Sequence, residues 1–505
     1  MKVLHTSELL ESPALQRLGQ FVRERQDEWQ SVTPSFEQYE CDLHQQMAEL
    51  EQELLAAELA RYDVDAEQIE IEGVCYHPVW VDTERYLTAV GEVSVKRHLY
   101  RPAGRNAKSI CPLELRVGMV DGYWTPRAAR QGVFVMAQLT PGEAESLFAE
   151  LGSMSPSRST LDRLPRELSR HWEAKRETWE VALRAQETVT EAAVSVAFSL
   201  DGVMVPMKAK STERVTHQTE AGKHASGPAG QQEAACGTVS LYDAEGERLQ
   251  TIRYARMPES KKATLQAQLQ GEIEALFSLR PDLRRVHLAD GAETNWDRLA
   301  EIEAALGLPS DGRVEIVDFY HGCDHLKNGC DAIWGESTPQ SQAEFLRLKT
   351  LLKEEEGGAD RLIRTFKHHA SRTTGNRQQR IQAELTYFRN QRPRMNYPEY
   401  LRQNLPIASG VVEAACKTLV TQRLKHSGMA WTIAGGQAIL TFRSLLQSAR
   451  WSPAWNLLAA DFRQTITIMK PATARPSQNS LAAPVIVQPI TQHETKAYQA
   501  LPLAV

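Results

Sequence analysis

The sequence predicts an α/β protein in which a central sheet follows N-terminal helices and a small β-rich region. Three observations support this fold class. An apolar, β-type run spans residues 194–207 and contains a single carboxylate, Asp201. Two further runs, 234–242 and 248–254, flank a turn at 243–246 and are typical of a hairpin. Helical and apolar extended segments then alternate, which indicates strands joined by helices.

Composition and length limit the class of protein. Hydrophobic residues make up 42% of the 505 residues and charged residues 24%, as in ordinary globular proteins. No apolar run approaches the roughly 18 residues of a membrane span, and residues 1–20 lack a signal-peptide core, so we expect a cytoplasmic protein. The seven cysteines are scattered without a CxxC pair, which predicts reduced thiols. A chain of this length is expected to form about three or four domains.

The N-terminal part divides into three predicted regions. Residues 1–67 carry apolar side chains at helical spacing and are predicted to be a helical packing or oligomerisation region. Residues 68–126 alternate in the way of strands and are predicted to form a small β-rich domain. Residues 127–190 are predicted to be a helix-turn-helix-like DNA-binding region followed by a connecting helix.

The third of these regions has the order of a helix-turn-helix. Short helices predicted at 133–139 and 143–151 precede a serine-capped third helix, and the connecting helix follows over 171–190. Arg158 and Arg163 lie on the third helix, where they are suited to contact phosphates or base edges. A capped surface helix without a DNA role accounts for the same pattern.

The first part of the core, residues 191–334, follows the order βββαβαβ and then a helix. After the hairpin come a helix over 261–277, a strand over 285–289, a helix over 295–306 and a strand over 314–317. The leading antiparallel meander distinguishes this order from a doubly wound sheet. It is the order of an RNase H-like, or retroviral-integrase-like, catalytic core.

Three carboxylates are candidates for metal binding. In this order the ends of the first and fourth strands lie close together, so Asp201 and Asp290, each followed by glycine, are expected to converge. Glu413 lies in the first turn of a predicted helix among small apolar residues that permit close packing on the sheet. Hard oxygen ligands suit two Mg²⁺ or Mn²⁺ ions and in-line phosphoryl transfer. Taken singly, Asp201 also fits a turn residue, and Glu413 also fits a residue that complements the helix dipole.

A basic segment lies between the second and third carboxylates. Residues 361–426 contain thirteen Lys and Arg against three acidic residues, although the whole chain has a net charge of −6. Most of them fall within 335–408, a predicted helical insertion, and this indicates contact with a polyanion; a solvated cationic helix face is the alternative. The aromatic residues among these charges are expected to form core rather than to stack on bases. The core's C-terminal helices are predicted at 409–469 and a disordered tail at 470–505.

Four motifs together resemble those of bacterial insertion-sequence DDE transposases of the ISKra type, which are related to Mutator-like and hAT-like enzymes. They are Leu200-Asp201-Gly202-Val203, Ala289-Asp290-Gly291, Val317-Asp318-Phe319-Tyr320-His321, and Ser409 to Lys417 with Arg423 to Trp431. The resemblance covers roughly residues 86–455. It implies that Asp201, Asp290 and Glu413 are the catalytic, metal-binding triad. It also matches Asp318 and His321 to a D-x-x-H signature, as accessory active-site residues.

Charge and this resemblance together imply contact with double-stranded DNA at the element ends and at the target. The candidate DNA-binding residues are Arg158, Arg163, Arg392, Arg394, Lys417, Arg423, Lys425, His426 and Trp431. For His321, an ordinary capping or buried role stays open. The spacing of Cys323, His325 and Cys330 lacks a fourth ligand and does not favour zinc.

These observations predict a Mg²⁺-dependent transposase that cleaves the ends of its element and joins the 3′-hydroxyls to target DNA. It is expected to act as a homodimer or a higher synaptic complex in the cytoplasm, associated with the nucleoid. Two alternatives stay open: a catalytically silent or domesticated DNA-binding protein derived from a transposase, and a nuclease that cuts without joining.

Overall fold

The computed structural model describes most of the chain as two compact units. The described residues are 12–28, 35–104, 107–208, 230–309 and 312–471, with the backbone of 217–218 and 224–225. Of these, residues 12–28, 35–104, 107–132, 141–164 and 459–471 belong to one unit, and the described residues of 133–140 and 165–458 belong to the other. None of the helices in the described ranges has both the length and the apolarity that a bilayer crossing requires.

The first unit contains the N-terminal helices and a four-stranded sheet. Its helical segments belong to α1 (Pro13–Glu28), α2 (Phe36–Ala60), α3 (Pro112–Val117), α4 (Pro126–Gln138), α5 (Pro141–Leu151) and α6 (Arg158–Arg184). Its strands are β1 (Ala66–Ile71), β2 (Val74–Thr88), β3 (Gly91–Pro102) and β11 (Thr467–Pro471). They lie in the order β11-β1-β2-β3, and each neighbouring pair is antiparallel.

Two elements differ from the sequence-based expectations. β11 pairs with β1, whereas residues 467–469 were predicted among the C-terminal helices and 470–471 in the tail. The rest of the predicted tail, 472–505, lies outside the described residues. α6 is one helix of 27 residues with Pro165 inside it, not a short third helix followed by a separate connecting helix. A continuous buried face that includes Leu161, Leu168 and Trp172 runs past the proline and keeps the helix unbroken.

The second unit is built on a five-stranded mixed sheet with helices around it, and its elements follow the predicted order. The strands are β4 (Ser195–Pro206), β7 (Gln231–Tyr242), β8 (Arg248–Arg256), β9 (Arg284–Ala289) and β10 (Arg313–Val317). The two-residue strands β5 (His217–Gln218) and β6 (His224–Ala225) follow β4 and precede β7 in the sequence, and they pair with each other in a sheet of their own. The sheet order is β10-β9-β4-β7-β8. β9 is parallel to β4 and β10 to β9, whereas β7 is antiparallel to β4 and β8 to β7.

Helices cover both faces of this sheet. They are α7 (Ala263–Leu279), α8 (Glu293–Ala305), α9 (Phe319–Trp334), α10 (Pro339–Glu354), α11 (Gly358–Ala370), α12 (Gly375–Gln391), α13 (Tyr397–Arg402), α14 (Gly410–Ala415), α15 (Gln422–Leu424), α16 (Ile433–Gln447) and the greater part of α17 (Trp451–Asp461). A π-helical segment, Cys416–Thr421, joins α14 to α15. We call residues 410–424 the Glu413 helix.

Side chains alternate between the two faces of the central strand. Val196, Phe198 and Leu200 pack in a core with α7 and α8. Ala197 packs on the other face, with α9 to α13. Asp201 is four residues after Ala197 along β4, so its side chain points to the same face of the sheet. Its partner on β7 is Cys236, which packs against the Glu413 helix. The carboxylate therefore lies on the face that the Glu413 helix covers.

The helices predicted as an insertion are present, but they share one hydrophobic core with the sheet. Phe366, Phe388 and Tyr397 are fully buried in the same cluster as Val286 and Leu288 of β9. The prediction that these aromatic residues form core is confirmed. Residues 335–408 therefore pack as part of the unit that holds the sheet.

Candidate active site

Two of the three predicted carboxylates belong to neighbouring parallel strands: Asp201 lies within β4, and Asp290 directly follows β9. The last paired residues of β4 and β9 are Ser199 and Leu288. Asp201 and Asp290 each lie two residues further on, so the same register places them next to each other, and parallel neighbours are about 4.8 Å apart. Burial raises the pKa of Asp201 above its usual range, and the charge of Asp290 adds to this effect. A cation bound between the two carboxylates would stabilise their charged forms against both burial and mutual repulsion.

The carboxylate of Asp201 is held by two donors. The amide of Gly202 donates to Oδ1 at 2.7 Å, and the Cys416 thiol donates to Oδ2 at 3.4 Å. The Cys416 thiol also lies within hydrogen-bond range of the Cys236 thiol, and this contact, with burial, raises the pKa of Cys416. Cys416 therefore stays a protonated donor that orients Asp201.

The carboxylate of Asp290 is held on one side only. Oδ1 accepts from the amide of Ala292 at 3.0 Å and from the Asn295 side chain at 3.2 Å. The same Asn295 amide lies 3.5 Å from the carbonyl of Leu200, so one buried side chain links the middle of β4 to the residue that follows β9. Within the described part of the chain, Oδ2 of Asp290 makes no hydrogen bond. It is the oxygen best placed to bind a cation.

The helix α12 closes the site beside Asp290. Gly291 has a φ of +102°, and Tyr387 packs against it where a Cβ would lie. The Tyr387 hydroxyl is 3.4 Å from the carbonyl of Asp290, and Gln391 donates to the carbonyl of Gly291 at 2.9 Å. The predicted insertion thus supports the second carboxylate, a role that the sequence did not indicate.

Glu413 lies one helical turn from the contact with Asp201. It precedes Cys416 by three residues, so both side chains emerge on one face of the Glu413 helix. Its exposed carboxylate accepts from the Ser409 hydroxyl at 2.9 Å. The π-helical segment begins at Cys416, a backbone irregularity that is frequent at functional sites.

The donor set fits a divalent cation only in part. Asp201 and Asp290 supply adjacent hard oxygens, as Mg²⁺ requires. Among the residues that the structure describes, however, no group of three His, Cys, Asp or Glu side chains is arranged to hold a metal ion. Binding by all three carboxylates would therefore require the Glu413 side chain to move closer to the two aspartates.

Asp318, predicted as an accessory active-site residue, is a helix cap in the structure. It is fully buried, and its Oδ1 accepts from the backbone N–H of His321 at 2.5 Å, as the N-cap of α9. Its Oδ2 accepts from the backbone N–H of Ser409. Both oxygens are taken by backbone donors, so Asp318 positions the residue that holds Glu413.

The second residue of that motif, His321, belongs to an aromatic cluster next to Asp290. Its ring lies 5.1 Å from that of His325 and 6.3 Å from that of Tyr387. His325 stacks on Tyr387 at 3.6 Å and pairs with Glu384 at 2.6 Å. His321 is half-buried, so a contact with bound DNA stays a prediction.

Six predicted DNA-binding residues are exposed. Arg158 and Arg163 lie on α6, and Lys417, Lys425 and His426 lie on or just after the Glu413 helix. Arg392 is also exposed, although it pairs with Asp360 at 2.5 Å. These residues are accessible to a DNA backbone.

Two other predicted DNA-binding arginines make contacts within the protein; the prediction for the buried Arg423 is wrong, whereas that for the partly exposed Arg394 stays a prediction. Arg423 is 2% exposed, and its guanidinium donates to the carbonyl of Met136 at 3.3 Å. Arg394 pairs with Glu315 at 2.6 Å and lies over the ring of Trp296 at 4.5 Å. The basic count of the sequence could not separate these arginines from the exposed ones.

Trp431, a predicted DNA-binding residue, contacts the end of the central β-strand, β4. Its backbone N–H donates to Pro206 at 2.9 Å, and its carbonyl accepts from Lys208 at 2.8 Å. Its indole N–H donates to the carbonyl of Leu424 at 2.9 Å. These bonds hold the end of the Glu413 helix against β4, and they assign Trp431 a structural contact.

No protein-family model matches the sequence, and no curated protein matches it significantly. Among solved structures, the Drosophila P element transposase strand transfer complex aligns with a TM-score of 0.23 and 10% identity, over 68% of this chain and 82% of that chain. A Mos1 transposase paired-end complex with the left transposon end aligns with a TM-score of 0.16 and 13% identity, over 57% of this chain and 79% of that chain. A pre-cleavage Mos1 transpososome aligns with a TM-score of 0.14 and 12% identity, over 52% of this chain and 76% of that chain. At TM-scores this low, the likeness establishes neither fold nor function.

Proposed function

We propose that the chain is a DDE-type transposase with an RNase H-like core, as the sequence motifs imply. One observation carries the proposal: Asp201 and Asp290 stand at the same level on adjacent parallel strands, and the Glu413 helix contacts Asp201 through Cys416. The sheet order, with two antiparallel strands on one side of β4 and two parallel strands on the other, supports the same core.

Asp201, Asp290 and Glu413 are the residues that would hold Mg²⁺ or Mn²⁺. When bound there, two such ions activate an attacking water or hydroxyl and stabilise the leaving oxygen of an in-line displacement. Cys416 and Asn295 fix the orientation of the two aspartates. Asp318 and Ser409 set the starting position of Glu413.

The reaction proceeds in two displacements at this site. Water first attacks the phosphodiester at the element end, the P–O3′ bond breaks, and the leaving oxygen gains a proton to become the 3′-hydroxyl. That hydroxyl then loses its proton and attacks a phosphodiester of target DNA. A P–O bond forms to the element's 3′-oxygen as the P–O3′ bond of the target strand breaks, and the target's 3′-oxygen takes up a proton. The exposed cations Arg158, Arg163, Lys417 and Lys425 are suited to bind the DNA backbones. Two copies or more would hold the paired ends.

The test uses duplexes that copy the two ends of the DNA segment carrying the gene, incubated with the full chain in Mg²⁺ or EDTA. Asp201→Asn, Asp290→Asn and Glu413→Gln are each expected to lower cleavage and joining by about 100-fold or more. Asp282→Asn is the matched control, because this exposed aspartate pairs with Arg280 just before β9, away from the site.

The products separate the alternatives. Joined products that require all three carboxylates support the transposase. Cleavage without joining identifies a nuclease, and Mg²⁺-independent binding without cleavage identifies a silent DNA-binding protein. Equal joining by wild type and Asp201→Asn contradicts the proposed active site.

A further inference from the structure

Two lysines of α10 lie against aromatic rings at the start of α9, and the sequence motifs include neither lysine. The ammonium of Lys349 lies 5.7 Å from the ring centroid of Tyr320 and 5.8 Å from that of Phe345. The ring of Phe319 is 6.0 Å from the ammonium groups of both Lys349 and Lys353. The attraction between an ammonium and the faces of aromatic rings holds such a lysine without an acidic residue. We call Tyr320, Lys349 and Lys353 the lysine patch.

The lysine patch lies at the same edge and on the same face of the sheet as the two aspartates. Val317 at the end of β10 pairs with Ala289 at the end of β9, and α9 begins just after Val317. Tyr320 and Asp290 therefore belong to the same sheet edge. The helices α9 and α10 pack with Leu288, whose side chain points to the same face as that of Asp290. One strand spacing and one helix spacing separate the lysines from Asp290, a distance on the order of 15 Å.

Neither lysine of the patch has an acidic partner. Within the described residues, no carboxylate lies within 4.0 Å of either ammonium. The acidic residues that follow α10 are paired elsewhere, Glu355 with Arg361 and Glu356 with Arg402. Both lysines are half-buried and Tyr320 is 59% exposed, so the ammonium groups are held against the rings and still reach solvent. The patch therefore offers two positive charges to an anion from outside the chain.

We propose that Lys349 and Lys353 bind backbone phosphates of the DNA strand held at Asp201 and Asp290. A strand rises about 3.4 Å per nucleotide, so the phosphates that reach the patch lie within about four nucleotides of the cleaved bond. The aromatic rings hold Lys349 in place before DNA arrives, which reduces the entropy lost on binding. The inference rests on the proposed function and adds a phosphate-binding surface to it.

The opposing explanation is a solvated cationic surface whose lysines only cover the aromatic rings. Lys349→Met and Lys353→Met keep an unbranched side chain over the rings and remove the charge. A covering role predicts wild-type DNA binding in both variants, because the apolar contact is kept. A phosphate contact predicts weaker binding in both.

Lys367→Met is the matched control, with the same loss of charge elsewhere on the helices. Lys367 is exposed and follows Phe366, which packs against Gly329. Gly329 lies about 13 Å along α9 from Tyr320, away from the sheet edge that carries the aspartates.

The measurement is fluorescence anisotropy with the end duplexes in EDTA, over a series of salt concentrations. Lys349→Met and Lys353→Met are each expected to raise Kd about 5–10-fold and to lower the slope of log Kd against log salt by about 0.9. The double variant is expected to lower the slope by about 1.8. Lys349→Arg is expected to keep the wild-type slope, and Lys367→Met the wild-type Kd and slope.

A second measurement locates the contact on the DNA. In a set of end duplexes, one phosphate at a time is replaced by an uncharged methylphosphonate. At the phosphate that Lys349 binds, the replacement is expected to weaken binding by wild type but not by Lys349→Met, because that variant has already lost the contact. This position is expected within about four nucleotides of the cleaved bond.

Wild-type Kd and slope in the Lys349→Met/Lys353→Met double variant would overturn this assignment. So would equal weakening by Lys367→Met, which would indicate a general effect of net charge. If Asp201→Asn still abolishes cleavage in either case, the proposed function stands and only the role of the lysine patch is wrong. If the lysine variants weaken binding but Asp201→Asn cleaves like wild type, the patch binds DNA and the proposed active site is wrong. If Lys349→Met does not fold, Lys349→Gln gives the same comparison.

Discussion

The buried carboxylate of Asp318 offers the sharpest test of how the site is positioned. It accepts one backbone N–H from His321 and one from Ser409, and Ser409 in turn donates to Glu413. Asp318→Ala removes a helix cap, which costs about 1 kcal/mol. It also leaves the buried Ser409 N–H unpaired, at about 1–3 kcal/mol. We therefore expect the free energy of unfolding to fall by about 2–4 kcal/mol, measured by urea denaturation.

A shorter acceptor separates the two contributions. Asp318→Ser keeps a good N-cap oxygen for His321 but has only one oxygen, so the bond to Ser409 is lost. This variant is expected to lose about 1–3 kcal/mol and to cleave end DNA about 10-fold more slowly, because Glu413 is no longer held in register. Asp324→Ala, an exposed change on the same helix, is the control and is expected to stay within about 0.5 kcal/mol.

Two results would refute this reasoning. Wild-type stability in Asp318→Ser would mean that the Ser409 N–H does not depend on Asp318. Reduced stability with an unchanged cleavage rate would mean that the carboxylate supports the fold without reaching Glu413. A shift in the Mg²⁺ requirement of Asp318→Asn, without loss of stability, would instead restore the direct active-site role that the sequence motif implied.

Two further changes test the contacts around the sheet. Cys416→Ser keeps a donor for Asp201 and is expected to cleave end DNA at close to the wild-type rate. Cys416→Ala loses the donor and is expected to cleave about 10-fold more slowly. Equal cleavage rates for the two variants would mean that the thiol does not orient Asp201. Arg450→Met is expected to cost about 3 kcal/mol in urea denaturation, because the buried carboxylate of Glu272 loses its bond to Arg450 at 2.8 Å and, among the described residues, keeps only Arg184, at 3.1 Å, as a charged partner. Burial favours a raised pKa for Glu272, but the bonds and charge of Arg450 outweigh it and lower the pKa. The stabilisation is thus present above the unfolded pKa and is lost as pH falls through the folded pKa, so the difference in stability between wild type and Arg450→Met is expected to shrink in acid.

Local pattern was sufficient for the elements and for two of the carboxylates. The run 194–207 predicted β4 to within a residue at each end, and the alternation after it predicted the order of strands and helices. Asp201 and Asp290 could be singled out because a charge that ends an apolar run before glycine is a local feature. The aromatic residues of 335–408 were predicted as core because helical spacing marks a buried face.

The sequence by itself thus determined where most strands and helices form and which two carboxylates lie in or directly after strands of the sheet, because these depend on neighbouring residues. Only the tertiary structure decided which polar groups meet. Burial distinguished Arg423 from arginines of the same local type. Asp318 and Ser409 are 91 residues apart, and β11 pairs with a strand nearly 400 residues earlier. Such contacts depend on packing across the whole chain, and no local pattern carries them.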